Sequence, residues 1–371
     1  MDKRGAKLGL VRELVTCMTA NGRCRIRVSI RGGLAALAVT VSLVTGRTAN
    51  ADASYQLGHG YDVGPFNFAG YAVVGVQIPD HGRKAVSAED LSLFVTGHVT
   101  KYFNPFMEAE LSHFNIAQSG SSGSENGGSS LVLERLYNDV DISESFTVRL
   151  GKMLAPVGAW NEIHAVPLVL TTMRPAVTIR NFSDHLTGVS LIYNDRDSDF
   201  PELKVYWQPD RELSDKPSTI LSKKYVMVEG MHLSYPISLL DQVGFSFQKS
   251  RDTLGVNQSL FGLDFHKTIE NLTLQGEATI SDLSGGQSGR VRQTEWGSYL
   301  AASYALSDRW SAYSWYEQFA DRSATSVSQD VLFGMAYRPH PAMVIKVEYL
   351  QNFGGTPVNP SGLFASWSVL F

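Results

Sequence analysis

The sequence predicts an all-β fold: a transmembrane antiparallel β-barrel of about 16 strands, with 14 to 18 as the range, and a long third outer loop. Three observations predict it. Runs of roughly ten residues with alternating polarity recur along the chain. Short and long polar connections alternate between these runs, and the last run ends the chain on an aromatic residue.

The alternation is clearest in residues 272–280. Leu274 and Ile280 fall on one face of the strand, and Gln275 and Glu277 fall on the other. One face suits lipid and the other suits water, and the same pattern recurs in residues 91–100, 146–150, 261–266 and 345–349. The sixteen predicted strands are centred near residues 72, 96, 110, 136, 149, 190, 205, 230, 246, 263, 276, 300, 314, 334, 346 and 367.

Two of these segments, residues 131–141 and 225–235, place polar side chains on both faces. Aromatic residues gather toward the strand ends, which is typical of the girdles at the two membrane interfaces; ordinary core aromatics that flank turns are the alternative. Those aromatics are Tyr102, Phe103, Trp207, Trp296, Tyr299, Trp310, Tyr313, Trp315, Tyr337 and Phe371.

The connections fall into two length classes that alternate. The short ones, near residues 103–105, 141–145, 268–271, 306–308 and 338–341, predict turns on the periplasmic side. The long ones, near residues 119–130, 209–224, 281–292 and 352–361, predict outer loops.

The amino-terminal segment has the pattern of a secretory signal. Four arginines between Arg23 and Arg31 precede a short apolar run over residues 34–44, and small residues follow at Ala49 and Ala51. We expect residues 1–51 to be removed, with Met18 as an alternative start. Residues 52–65 then form a periplasmic lead-in, and residues 66–371 form the barrel.

The net charge and the positions of the cysteines exclude several classes of function. Residues 1–51 hold nine basic and two acidic side chains, so the rest of the chain has a formal net charge near −11 rather than −4. This acidity argues against a nucleic-acid partner. Cys17 and Cys24 both lie in the removed segment, which excludes disulfides and cysteine metal sites from the remainder.

The last strand, residues 363–371, carries Trp367, Val369 and Phe371 on one face and Ser366 and Ser368 on the other. A terminal aromatic residue on an amphipathic last strand resembles the β-signal of Gram-negative outer-membrane barrels. The resemblance implies recognition by the barrel assembly machinery, a place in the cell outer membrane and contact with outer-membrane lipid.

One connection is far longer than the others. Residues 153–186 contain Pro156, Pro167 and Pro175 and no strand pattern, and a long irregular loop in a compact fold is usually functional. It is the third outer loop, which predicts that it folds into the lumen and narrows it. A lid or subunit contact outside the pore is the alternative.

Residues 149–164, followed by residues 172–175, resemble a segment of porins of the phosphate-selective type and their uncharacterised relatives. The shared pattern is a strand that ends at Gly151 and Lys152, followed by Pro156 and Gly158. The resemblance implies a passive pore for small hydrophilic solutes or ions, a homotrimer, and no cofactor or enzymatic step. A non-conducting barrel whose loops bind a ligand or surface partner is the alternative.

Phosphate selectivity needs inward ladders of positive charge, and here the inward charges are mixed in sign. The predicted pore-lining residues are Glu108, Glu110, Arg149, Lys204, Asp264, Glu277, Lys346 and Glu348. The predicted constriction residues are Lys152, Glu162, His164, Arg174, Arg180 and Asp184. Their charges would either oppose one another across the pore or pair with the barrel wall and hold the loop.

A hydrolase is a further alternative, because some outer-membrane barrels are enzymes. Glu162, His164, His232 and Ser234 supply groups that could act as base and nucleophile, yet the sequence does not bring them together. Glu162 and His164 alone are too few for a metal site. We therefore predict no catalytic residue and no metal.

Overall fold

The computed structural model describes residues 55–119, 130–195, 200–213, 223–238, 241–286, 290–355 and 357–371. The predicted signal peptide, with both cysteines, and the middle of the Gly/Ser-rich loop lie outside these residues. Among the described residues, no helix is long and apolar enough to cross a membrane.

The described chain is built from antiparallel strands with two short 3-10 helices between β7 and β8, at Asn161–Ile163 and Ala176–Thr178. The strands are β1 (Tyr55–Gln56), β2 (Gly60–Val63), β3 (Phe66–Pro79), β4 (Lys84–Gly97), β5 (Asn104–Ser119), β6 (Ser130–Asp141), β7 (Phe146–Leu154), β8 (His185–Tyr193), β9 (Glu202–Gln208), β10 (Tyr225–Pro236), β11 (Gln242–Asp252), β12 (Val256–Ile269), β13 (Leu272–Gly285), β14 (Thr294–Ala305), β15 (Trp310–Ala320), β16 (Ser328–His340), β17 (Met343–Gly354) and β18 (Gly362–Leu370).

Strands β3 to β18 form a closed barrel of 16 strands, because each pairs with the next and β18 pairs with β3. This confirms the predicted fold class and strand number. The chain end lies at the seam: Phe371 donates its backbone N–H to Gly70 O at 2.9 Å, and Gly70 returns a bond of 2.8 Å. Closure satisfies the backbone polar groups that an open edge would leave unpaired in lipid.

The described part of the lead-in also has regular structure. β1 and β2 form a small hairpin, and β2 pairs with β3 through Tyr61 and Phe68. The hairpin therefore lies against the first barrel strand.

The two faces of the wall differ as the alternation predicts. Outward-facing side chains at mid-strand are large and apolar, such as Leu263 (60% exposed), Leu300 and Phe333. Inward-facing positions carry most of the buried polar and charged residues, such as Ser246, Gln248 and Lys346. A surface so apolar is stable only against lipid.

Two β-bulges explain the segments of mixed polarity. In β6, Leu133 pairs with Ala109 and Arg135 pairs with Glu108, so Glu134 is an extra residue that reverses the alternation. In β10, a shift between Tyr225 and Met227 has the same effect. At each bulge, the side chains that face the lumen switch between the even-numbered and the odd-numbered residues of the strand.

The loop of residues 155–184 lies inside the barrel and packs on the inner wall through two apolar clusters. The root cluster joins Ala155, Val157 and Phe182 to wall residues that include Tyr206 and Leu260. The tip cluster joins loop residues to the wall from β14 to β18. Its members include Trp160, Ala176, Val177, Tyr299, Tyr313, Trp315, Phe319, Leu332, Leu350 and Phe364.

The tip cluster corrects two expectations. Tyr299, Tyr313 and Trp315 are at most 5% exposed and belong to this cluster, so their assignment to interface girdles is wrong. The inner face of β17 was also predicted to face water, whereas Leu350 lies dry beneath the loop together with Leu332 of β16 and Phe364 of β18. Apolar side chains are tolerated there because the loop supplies them with a packed partner.

Candidate pore constriction

The local sequence turns the loop of residues 155–184 inward just after β7. Pro156 ends the strand because it has no backbone N–H to continue the ladder. Gly158 has a φ of 66°, and a Cβ at this position would collide with the carboxylate of Glu277 on β13. Glycine is therefore needed both for the backbone conformation and for the close approach to the wall.

Three inward-facing glutamates, which we call the anchoring carboxylates, hold the loop backbone: Glu277, Glu317 and Glu348. Glu277 Oε1 accepts the N–H groups of Ala159 at 3.2 Å and Trp160 at 2.7 Å.

The other two anchors lie further around the barrel. Glu317 Oε1 on β15 accepts the N–H of Val177 at 2.8 Å. Glu348 on β17 accepts Thr172 N–H at 3.0 Å and Met173 N–H at 2.5 Å. The loop thus crosses the lumen from β7 to the wall around β17.

Lys346 adds a cationic anchor next to Glu348. Its Nζ donates to the carbonyl oxygens of Val166 and Val169 at 2.6 Å each, and to Thr171 O at 3.4 Å. The predicted pore-lining residues Glu277, Lys346 and Glu348 therefore face the lumen, but their charges are bonded to the loop.

The predicted constriction residues all lie on this loop or at its root, and three of them form ion pairs with neighbouring side chains. Lys152 Nζ lies 2.7 Å from Glu212, and Asp184 Oδ2 lies 3.2 Å from His185 Nδ1. Glu162 receives Lys204 Nζ at 2.9 Å on both carboxylate oxygens.

Glu162 and Lys204 form the clearest charged pair between loop and wall. Burial by itself raises the pKa of the Glu162 carboxyl, but the adjacent ammonium of Lys204 outweighs burial and lowers the pKa overall. Glu162 therefore stays ionised at neutral pH. Lys204 lies on β9 and also contacts Glu202 of the same strand at 2.9 Å, so the pair with Glu162 ties the loop to β9.

Arg174 braces the loop internally. Its Nε donates to Thr178 Oγ1 at 2.9 Å, and Nη2 donates to Asn161 Oδ1 at 2.9 Å. Burial lowers the pKa of Arg174 to about 10, which still leaves it charged at neutral pH. Burial also lowers the pKa of Arg180. His164 Nδ1 lies 3.1 Å from Asn161 O.

The wall from β5 to β9, which we call the charged strip, presents partly exposed charges of both signs. Arg149 donates to both carboxylate oxygens of Asp139 at 2.8 and 2.9 Å, and each of the two side chains is about a quarter exposed. Arg135 Nε lies 2.5 Å from Glu108. Lys204 on β9 belongs to the same strip, and we count its loop partner Glu162 with it.

Aromatic rings fix the two arginines of the charged strip. Arg149 lies over the ring of Tyr137 at 3.9 Å, and Arg135 lies over Phe106 at 4.6 Å. Phe106 and Tyr137 stack with centroids 5.0 Å apart and planes within 6°. These contacts restrict the guanidinium positions.

The remaining two predicted lining residues face the lumen beside these groups. Glu110 is buried on β5 and lies 3.3 Å from Ser92 Oγ. Asp264 is 2% exposed on β12, directly across from Glu277 on β13, and neither of its carboxylate oxygens has a hydrogen-bond partner among the described residues.

Several site residues were missed from the sequence. Arg135 and Asp139 follow the bulge at Glu134, so a strict alternation assigns them to the wrong face. Glu317 was missed because aromatic side chains lie on both faces of β15. The ion pair of His185 Nε2 with Glu134, at 2.7 Å, joins two residues that are distant in sequence and gives no local signal.

The histidines do not assemble a hydrolytic site. His232 Nδ1 lies 2.9 Å from Ser246 Oγ rather than from Ser234, and that hydroxyl also accepts the N–H of Gly158 at 3.1 Å. Ser246 is fully buried beneath the loop, which closes it to a substrate. No group of three or more potential metal ligands occurs among the described residues.

No protein-family model and no curated protein matches the sequence significantly. Solved structures do match the fold. Salmonella typhi OmpF, described in complex with daunomycin, matches with a TM-score of 0.58 at 13% identity over 82% of this chain and 97% of that one. Vibrio cholerae OmpT in its trimer form gives 0.57 at 12% identity over 84% and 100%. The outer membrane channel DcaP of Acinetobacter baumannii gives 0.56 at 13% identity over 84% and 100%.

At these identities the likeness shows the fold alone. The protein has the fold of outer-membrane porins, and its apolar outer surface is suited to contact with lipid. The predicted porin-like barrel and its location are therefore confirmed. The likeness to the phosphate-selective type in particular stays a prediction.

Proposed function

We propose that the protein is an outer-membrane porin through which small hydrophilic solutes or ions diffuse passively. One observation carries this proposal: the loop of residues 155–184 occupies the side of the lumen along β11 to β18, while the charged strip on β5 to β9 keeps partly exposed charges. Side chains cannot fill a barrel of 16 strands, so space beside the loop remains for water.

The proposal assigns different tasks to the two sets of charges. Glu277, Glu317, Lys346 and Glu348 fix the width of the passage by holding the loop. Arg135, Asp139, Arg149, Glu162 and Lys204 face the passing solute. Because the strip alternates in sign, we expect modest ion selectivity rather than the anion selectivity of an all-basic ladder.

The assembly and partners follow the same proposal. Trp367, Val369 and Phe371 are proposed as the signal for the barrel assembly machinery, and lipid surrounds the outer face. A homotrimer is proposed from the likeness to V. cholerae OmpT, whose structure is described as a trimer form.

Single-channel recording in planar lipid bilayers tests the function. Purified, folded protein should give stable stepwise conductance, with a reversal potential close to zero under a salt gradient. A correctly folded barrel that remains silent would reject diffusion and leave the non-conducting, ligand-binding barrel. Strong selectivity for one ion sign would refute the role of the charged strip.

A further inference from the structure

A cavity of about 300 Å³ lies inside the barrel between the loop of residues 155–184 and the inner wall. Its volume is at the lower end of the range for small-molecule sites, about 300 to 1,000 Å³. Its two sides differ in chemistry, because the loop contributes mainly apolar side chains and the wall contributes several polar ones. The lining residues include Trp160, Ile163 and Leu168 of the loop, and Gln242, His266 and Gln275 of the wall.

The apolar side of the cavity is both exposed and held in place. Ile163 is 57% exposed and Leu168 is 55% exposed. The backbone around Leu168 is fixed, because Lys346 donates to the carbonyl oxygens of Val166 and Val169 on either side of it. A ligand group that covered these side chains would remove apolar surface from water without having to order the loop first.

The polar side is a row of two amides and an imidazole, which are groups that both donate and accept hydrogen bonds. Gln242 lies directly across from His266, and His266 lies directly across from Gln275, on the neighbouring strands β11, β12 and β13. Neighbouring strands are about 4.8 Å apart, so the row spans about 10 Å. All three side chains are partly exposed and line the cavity, so a ligand inside it can reach them.

The Gln242 amide has hydrogen-bonding capacity left for a ligand. Its Oε1 accepts the hydroxyl of Ser234 at 3.4 Å, whereas its Nε2 donates to no group in the described part of the chain. Because this amide is partly exposed, water can take the free position. A ligand that replaces the water must offer an equivalent acceptor, and it then gains from burying its apolar part on the opposite side.

The cavity offers little to a charged solute. Its described lining includes no lysine or arginine, so an anion would find neither of these cations to pair with. Glu277 also lines it but is 4% exposed, with Oε1 bonded to two loop N–H groups and Oε2 packed against Gly158. A cation therefore finds almost no carboxylate surface, while the charge of Glu277 disfavours an anion.

We propose that this cavity binds a small neutral solute with an apolar ring and an amide or hydroxyl group on one edge. The ring packs on Ile163 and Leu168, and the polar edge bonds Gln242 and Gln275. A polyol without an apolar face would leave the loop side uncovered, and a hydrocarbon would leave the amides without partners. The proposal rests on the porin function, to which it adds a solute class that is favoured over simple ions.

Channel block in planar bilayers tests the ligand class. The probes are benzamide, acetamide, which lacks the ring, and benzoate, which has nearly the shape of benzamide but carries a negative charge. Benzamide should reduce the conductance at a concentration about tenfold below that needed for either of the others. Equal potency of benzamide with acetamide, or with benzoate, in a conducting channel would overturn the proposal.

Variants then locate the site. Gln275→Leu should raise the blocking concentration of benzamide about tenfold, because it keeps the size of the side chain but removes the amide. Ile163→Ser should raise it about fivefold, because it removes apolar contact, and it leaves the wall intact if the first variant fails to fold.

Ile179→Ser is the matched control. It makes the same change at another aliphatic residue of the loop, 36% exposed, which does not line the cavity, so the block by benzamide should stay that of the wild type. Equal block of the wild type and both site variants would refute the assignment, and so would an equal loss in Ile163→Ser and Ile179→Ser.

Calorimetry on detergent-solubilised, folded protein separates this proposal from the porin function. A silent barrel that still binds benzamide, with weaker binding in Gln275→Leu, rejects diffusion and supports the site. A conducting barrel without such binding supports diffusion and rejects the site.

Discussion

Removal of the Glu348 carboxylate should release the part of the loop that it holds. In Glu348→Ala, the N–H groups of Thr172 and Met173 lose their acceptor, and the Tyr313 hydroxyl loses its bond of 3.1 Å. Leaving a buried donor without its acceptor costs about 1 to 3 kcal/mol, so the two backbone N–H groups set the loss at roughly 2 to 6 kcal/mol before water replaces the carboxylate.

Even the lower value corresponds to a shift of roughly thirtyfold in the ratio of docked to released loop. Glu277 and Glu317 remain in place, so we expect local release near residues 166–173 rather than loss of the whole loop. The variant should show a higher mean conductance, noisier open-channel current, and faster entry of larger sugars in liposome swelling.

Asp330→Ala is the control for this variant. It removes another inward-facing carboxylate, but the hydrogen bond that it breaks is to Asn352 of the wall. It should therefore leave the conductance and the sugar cut-off unchanged. If Glu348→Ala matched the wild type in conductance, noise and cut-off, the anchoring role of the carboxylate would be refuted.

Three further predictions concern the barrel itself. Lys267 Nζ and the N–H of Thr268 donate to Asp241 in the turn before β11 and lower the pKa of Asp241 to about 2. Its contribution to stability is present above its ordinary pKa and is lost as the pH falls toward 2, so Asp241→Asn should lower the thermal midpoint at pH 7 and match the wild type near pH 2. Leu263→Arg on the outer face should destabilise the lipid-inserted barrel by about 2 to 4 kcal/mol in urea unfolding, and an unchanged midpoint would contradict the lipid contact. Deletion of Phe371 should reduce the heat-modifiable, folded fraction in cells, because it removes both the proposed assembly signal and the bonds to Gly70; normal assembly would argue against that signal.

The sequence predicts the barrel well because each strand carries its own evidence. Side-chain alternation and turn residues are local, and every predicted strand centre falls within one of the sixteen barrel strands. The third outer loop is likewise where its prolines and its length predict it. Its end points, residues 155 and 184, differ from the predicted bounds by two residues at each end.

The errors have physical causes that a strand pattern does not contain. One extra residue at Glu134 reverses the alternation, which hides Arg135 and Asp139. Tyr313 and Trp315 look like interface aromatics until the loop provides them with a dry partner. Glu277 and Glu348 lie on the inner wall, but their loop partners are more than 100 residues away in sequence.

An engineered disulfide tests most directly whether the loop is docked on the inner wall. Thr172 Oγ1 on the loop and Ser366 Oγ on β18 lie 2.6 Å apart, so cysteines at these positions can reach disulfide distance. In a chain that begins after residue 51, no other thiol competes. The double variant Thr172→Cys/Ser366→Cys should form the disulfide spontaneously and conduct like the wild type before and after reduction. Thiols that stay reduced in the folded barrel, or a conductance that changes when the bond forms, would contradict a loop held across the pore.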